Sequence, residues 1–154
     1  MKHALILSSP IGLLTLIEED EALTEVRFGE NAQDALLCET PLLARARAEL
    51  DAYFQGQCRT FTLPLAPKGT PFQKRCWDAL CQIPYGETRT YAQQAAMIGN
   101  PKACRAVGMS NHRNPLPILI PCHRVVGQNG ALTGYAGGLK TKEILLNIER
   151  MTHP

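Results

Sequence analysis

Long apolar runs are missing from this chain. None approaches the roughly 18 residues that cross a bilayer as a helix, so no membrane association is expected. Aromatic residues make up only 6%, and the single tryptophan, Trp77, is expected in the core. The six cysteines (Cys38, Cys58, Cys76, Cys81, Cys104 and Cys122) form no Cys-x-x-Cys pair and no regular framework. That argues against both a disulfide scaffold and a zinc ribbon, and for a reducing compartment. Cys76, Cys81 and Cys104 lie in helix-like stretches and read as small buried hydrophobes. No leader is expected either. Residues Met1 to Pro10 carry one lysine and a short apolar stretch without a cleavage pattern, so they read as the first strand of a cytoplasmic protein.

The most telling absence is of acid. No Asp or Glu stands between Glu87 and Glu143, whereas Arg89, Lys102, Arg105, Arg113, Arg124, Lys140 and Lys142 all do. Residues 1–69 hold six basic against ten acidic residues, and residues 70–154 hold ten against four. An overall charge of +2 therefore hides a basic C-terminal half, the pattern of a polyanion partner or, more blandly, of a basic solvated face. With 45% hydrophobic and 19% charged residues the composition is otherwise that of an ordinary globular protein.

The order of elements predicts a mixed α/β (α+β) chain in two parts. In residues 1–67, β-rich runs at Ala4–Leu7, Leu13–Ile17 and Leu23–Phe28 suggest a small antiparallel sheet. A helix over Pro41–Phe54, ended by Gly56, and a last strand over Thr60–Leu65 follow. The acidic run Glu18 to Glu21 reads as a solvated turn. Pro64, Pro67 and Gly69 read as a linker. Residues 70–154 open with Thr70-Pro71 capping a helix from Phe72 to Gln82. A helix over Thr90–Ile98, the turn Gly99-Asn100-Pro101 and a basic helix over Lys102–Asn111 form a helix-turn-helix pattern at about 90–111. Small residues on the second helix (Ala103, Ala106, Gly108, Ser110) permit close approach of another backbone. A strand carrying Cys122 and His123, a hairpin turn at Gly127–Gly130, a glycine-rich loop over 131–138 and a helix over Leu139–Met151 complete the chain.

The run from Pro117 to Val126 brings a cysteine and a histidine to one point between apolar stretches, with Pro121 setting the backbone before them. Cysteine is a strong nucleophile once ionised, and a nearby base or positive charge is what ionises it. Neighbours on a strand face opposite ways, so a bend or a bridging water is needed to couple Cys122 to His123. The imidazole then needs an acceptor on its far nitrogen, and Glu149 on the last helix is the candidate.

Pro121-Cys122-His123-Arg124, with Asn114-Pro115-Leu116-Pro117-Ile118 upstream and Gly134-Tyr135-Ala136-Gly137-Gly138 and Lys142-Glu143 downstream, resembles the O6-alkylguanine-DNA alkyltransferases. The likeness is dense from Thr70 to Glu149 and general in the first half, and it is to the stand-alone bacterial type. It implies a ribonuclease-H-like N-terminal domain (1–67) and a C-terminal DNA-binding and active-site domain (70–154) with a winged helix-turn-helix. The implied activity is DNA repair by irreversible, single-turnover transfer of the alkyl group of O6-alkylguanine, and of O4-alkylthymine, to Cys122. The nucleotide would be flipped out from the minor groove of double-stranded DNA.

In that scheme His123 acts through water as the base, Glu149 polarises His123, and Asn114 braces the reactive turn. Tyr91 meets the flipped base, with Leu132, Tyr135, Ala136 and Gly137 in the pocket wall. Arg105 enters the base stack, and Lys102, Ala103, Ala106, Asn111 and Arg113 contact the duplex. Ala136 stands where some relatives carry serine, leaving loop N–H groups to face O6. Some relatives bind zinc in the first domain; here Cys38 and Cys58 have only His3 in that half, so no metal is expected, and no cofactor. The protein is expected to act as a monomer, alone or cooperatively along DNA. His112 and His153 are expected on the surface. A non-enzymatic lesion-sensing or regulatory DNA-binding module and a Cys/His hydrolase are the competing readings.

Overall fold

Turn chemistry and apolar alternation account for the first unit, Met1–Lys68, in a computed structural model that describes residues 1–152; His153 lies outside the described residues. Strands β1 (Lys2–Ser9), β2 (Gly12–Glu19) and β3 (Ala22–Phe28) form an antiparallel meander. A two-residue strand β4 (Leu36–Leu37) adds to β1 in parallel, giving the order β3-β2-β1-β4. That parallel edge has no signature in the sequence, because two leucines are too few to establish a period.

Helix α1 (Pro41–Phe54) is capped by the Thr40 hydroxyl, which accepts from Leu43 N–H. It buries Leu43, Ala46, Leu50 and Tyr53, at helical spacing. The strand expected at Thr60–Leu65 is absent. Its backbone touches β3 only through Leu23 N–H to the Pro64 carbonyl (2.9 Å) and Ala66 N–H to the Leu23 carbonyl (2.8 Å). Pro64 has no N–H to extend a ladder, which explains the interruption.

The β2–β3 connection is tight. Asp20 (φ 53°) and Glu21 (φ 62°) both occupy the left-handed region that a two-residue I′ turn demands. Neither residue is glycine or asparagine, so the turn stores roughly 1–2 kcal/mol per position. Glu21→Gly is expected to stabilise the protein by about 0.5–1 kcal/mol, after the larger unfolded-state entropy of glycine is deducted. The check is a higher urea midpoint at unchanged slope.

The second unit starts at Gly69. Helices α2 (Pro71–Cys81) and α3 (Tyr91–Met97) begin with the same device: Thr70 with Gln73, and Thr90 with Gln93, form reciprocal capping boxes. Helix α4 (Cys104–His112) starts two residues later than its sequence suggests, because Pro101 and Lys102 lie in a turn and Ala103 provides no side-chain cap. Trp77 is buried and donates its Nε1 proton to the Ser110 carbonyl at 2.8 Å, fixing α2 to α4. Gln94 and Asn111 exchange amide hydrogen bonds of 2.7 and 2.9 Å between α3 and α4. Cys76 is buried, but Cys81 is exposed at the end of α2 and Cys104 half-buried at the start of α4. The helix termini carry these two away from the core.

The segment before Cys122 is not a strand. Pro115, Pro117 and Pro121 remove three N–H groups from seven residues, so no ladder can form there. The chain crosses the core as irregular backbone, and Cys122–Arg124 is a single 3-10 turn. Regular pairing resumes only where β6 (Val125–Val126) meets β5 (Arg89–Thr90) in parallel. Ile118 holds φ at 74° although it is β-branched and 1% exposed, a strained conformation maintained by its surroundings.

The turn after β6 uses Asn129 and Gly130 at positive φ and closes with Gly127 N–H on the Ala131 carbonyl (2.7 Å). It leads into a loop instead of a second hairpin strand. Helix α5 (Leu139–Thr152) ends the described chain.

Candidate active site

Cys122 and His123 sit in a single 3-10 turn, so the strict alternation of a strand does not apply to them. Asn114 holds the approach to this turn: its Nδ2 donates to the Ile120 carbonyl (2.8 Å) and its Oδ1 accepts from Leu116 N–H (2.9 Å). Cys122 is 8% exposed. It faces a cavity of about 120 Å³ lined also by Tyr91, Gly108, Asn111, His112, Gly134, Tyr135 and Ala136. Leu132 and Gly137, expected in the wall, belong to the same loop but do not line this cavity. Thr133 closes the loop over α3 by a hydroxyl contact to the Tyr91 hydroxyl at 3.3 Å.

His123 is fully buried, with Nε2 2.6 Å from Glu149 Oε2. Glu149, also buried, is shared. Its Oε1 accepts from Arg124 Nε (2.8 Å) and from Gly86 N–H (3.2 Å), and its Oε2 from Arg124 Nη2 (3.2 Å). Arg124 Nη1 donates onward to the Ile83 carbonyl at 2.7 Å. Lys142 is fully buried and donates to the carbonyls of Thr133 (2.7 Å) and Gly134 (3.5 Å), anchoring the pocket loop from beneath.

These surroundings set the protonation states. Burial pushes the Cys122 thiol up to about 11, against the opposing pull of the Asn114 side chain and the Lys142 charge. The thiol, not the thiolate, is therefore the resting form, and a base is needed to ionise it. Burial also holds His123 below the ordinary histidine range, despite Glu149, so the imidazole is neutral. Burial acts to raise the Glu149 carboxyl, but the hydrogen bonds and charges of His123 and Arg124 outweigh it and bring it to about 2. With His123 neutral, the permanent charge facing this carboxylate is Arg124. A carboxylate against Nε2 selects the tautomer protonated there, which makes Nδ1 the basic nitrogen. The set is a thiol, a neutral base and a fixed orienting anion, able to deprotonate the thiol when a reaction partner is bound.

The basic surface is smaller than the sequence count implies. Arg124 and Lys142 are turned inward, and Arg89 pairs with Glu87 at 3.1 Å. Lys102, Arg105, Arg113 and Lys140 remain exposed, with Ala106 beside them and Ala103 half-buried. Asn111 departs from its expected place on the duplex face, since its amide is buried against Gln94. His112, read only as a surface residue, is exposed yet lines the reactive cavity. Sequence reasoning missed Arg124 as the second partner of Glu149 and Lys142 as the loop anchor. A cation directly after the Cys-His pair was the available signal for the former.

Residues 1–67 match the family described as 6-O-methylguanine DNA methyltransferase, ribonuclease-like domain, and residues 71–151 match the DNA binding domain of the same name. The chain is 51% identical to the constitutive methylated-DNA–protein-cysteine methyltransferase of Bacillus subtilis, covering 94% of this chain and 93% of that one. It is 50% identical to the protein of the same name from Methanosarcina acetivorans, over 94% and 96%. Among solved structures it is similar to Mycobacterium tuberculosis OGT in complex with DNA, with a TM-score of 0.90 and 43% identity over 99% and 95% of the two chains.

Proposed function

The chain belongs to the 6-O-methylguanine DNA methyltransferase family, and we propose that within it Cys122 is the residue that takes the alkyl group. Its activity is direct-reversal DNA repair, the transfer of an alkyl group from damaged DNA to a protein cysteine, and its partner is DNA. The observation that carries the assignment to Cys122 is its position: a thiol at a small cavity, followed directly in the chain by a neutral imidazole held through one nitrogen by a buried carboxylate.

The substrate is O6-alkylguanine, or O4-alkylthymine, in double-stranded DNA. The alkylated oxygen of a paired base cannot reach a recessed sulfur, so the nucleotide leaves the stack, at a cost of a few kcal/mol offset by pocket contacts. Arg105 fills the gap from α4, and Lys102 and Arg113 hold phosphates. Tyr91, Gly134, Tyr135 and Ala136 enclose the base. The thiol proton passes through water to His123 Nδ1. Sulfur attacks the alkyl carbon, an S–C bond forms as the C–O6 bond breaks, and the electron pair leaves on the guanine, which is reprotonated on N1. Glu149 stabilises the imidazolium, and Asn114 holds the turn in place. The thioether is permanent, so each molecule acts once, as a monomer and without a cofactor, in the reducing cytoplasm.

Incubation with an O6-methylguanine duplex is expected to add the mass of one methyl group per molecule, located on Cys122 and absent in Cys122→Ala. Repeated turnover, or an unchanged mass with retained DNA binding, would instead favour hydrolysis or lesion sensing.

A further inference from the structure

Helix α4 carries an apolar side chain that the core does not use and the mechanism above does not need. Met109 is 61% exposed, although α4 buries Val107 completely two residues away. With Arg105 four residues before it and Arg113 four after, it lies on one helix face between two cations. An outer groove of about 460 Å³ is lined by Arg105, Gly108, Met109, His112 and Arg113. Gly108 and His112 also line the cavity of Cys122, so the groove and the reactive pocket meet along this helix.

We propose that Met109 is a positioning residue for the duplex, its thioether packing into the minor groove against sugar edges or between base pairs. The inference rests on the reading of Cys122 as the acceptor of an alkyl group from DNA. Charge complementarity selects the occupant: a minor groove has anionic rims and apolar walls of deoxyribose edges, and this helix face has cations at its margins and a methionine between them. No acid stands nearby in the sequence to repel phosphate. Methionine is among the apolar side chains that enter minor grooves and loosen base steps there. Four helical residues advance about 6 Å, and base pairs repeat about every 3.4 Å. Met109 therefore meets the duplex roughly two base steps from the gap that Arg105 fills. Contact there braces the helix on the duplex beside the flipped nucleotide.

Three readouts on Met109→Ala and Met109→Leu test this. Binding to an unmodified duplex is measured across a salt series. The single-turnover rate with an O6-methylguanine duplex is compared with that for the free O6-methylguanine base. Loss of most of one methionine side chain's burial predicts binding about tenfold weaker for Met109→Ala at every salt concentration. The slope of log affinity against log salt is expected to stay that of the wild type, because no charge is removed. The ratio of duplex rate to free-base rate is expected to fall by about the same factor, and Met109→Leu to recover most of both. Duplex affinity within twofold of the wild type would overturn the proposal, as would equal losses on duplex and free base, which would mark damage to the pocket itself. A wild type that binds DNA but transfers no methyl group refutes the alkyl-transfer reading alone, and the binding series still decides the role of Met109.

Discussion

Serine at position 122 is expected to lower the single-turnover transfer rate by at least about 10³-fold while leaving DNA binding within a factor of about two. The two side chains are nearly the same size, so the pocket survives; what changes is the nucleophile. A hydroxyl is far harder to ionise than a thiol, and its oxygen is a poorer partner for a saturated carbon. Even the thiol is held back here, since burial pushes it up to about 11. At pH 7 that leaves on the order of one molecule in 10⁴ as thiolate, so removal of the proton by His123 is part of the chemical step.

Two pH consequences follow. The wild-type rate is expected to rise with pH only while His123 loses its proton, below 6.5, and to level off through the neutral range, where thiol and neutral imidazole are already the resting pair. Stability responds at higher pH. A thiol whose folded value lies above its ordinary value of 9.0 contributes stability below about pH 9 and loses it as pH rises toward 11. Cys122→Ser removes that alkaline loss. Intact-mass kinetics at several pH values, with urea midpoints at pH 8 and 10, test both statements. A serine variant that transfers at near wild-type rates would remove Cys122 from the mechanism.

Glu149→Gln is expected to damage both the chemistry and the fold. A glutamine amide can still accept from Arg124 through its oxygen, but its NH₂ would then face the Nε2 proton of His123. Relief requires the imidazole to move its proton to Nδ1, the nitrogen needed as base, so the transfer rate is expected to fall by about 10² to 10⁴-fold. The guanidinium of Arg124, 7% exposed, would lose its counter-charge. Leaving one member of a buried ion pair alone costs on the order of 3–5 kcal/mol.

The signs of the pH effects agree for the two partners. His123 is depressed below 6.5 and Glu149 below 4.5 to about 2. Each therefore contributes stability above its ordinary value that is lost on acidification. Wild-type stability is expected to decline below about pH 6.5 and further between about 4.5 and 2, and the glutamine variant to lack the second decline. Urea midpoints at pH 7, 5 and 3 measure this. A variant matching the wild type in both rate and midpoint would show that the carboxylate orients nothing.

The parts of the fold that local chemistry dictates were legible in the chain. The Thr70 cap, the spacing of Leu43, Ala46, Leu50 and Tyr53, and the Gly99-Asn100-Pro101 corner each specify their element without help from the rest of the molecule, and the Thr40 and Thr90 caps, which the sequence reading passed over, are of the same local kind. What depends on remote partners was not. The apolar run before Cys122 resembles a strand, yet its prolines deny it a ladder and Asn114 supplies the hydrogen bonds instead. Arg124 and Lys142 counted toward a basic face although one is committed to Glu149 and the other to loop carbonyls. Sequence records how many cations a stretch has, but only packing decides which of them meet solvent. Asn111 illustrates the same point from the polar side: its amide satisfies Gln94 before it can satisfy anything outside.

The shared carboxylate of Glu149 also constrains how such a protein can diverge. One side chain orients the imidazole, neutralises Arg124 and receives the Gly86 amide, so selection cannot retune the base by drift at this position without risking the fold as well. The loop over residues 131–138 is under no such constraint. It has no helix or strand to lose, it reaches the sulfur's cavity through Gly134, Tyr135 and Ala136, and one buried lysine holds it in place. A transferred group of different bulk would meet that loop first, and a change there would leave the proton-handling residues beneath it untouched.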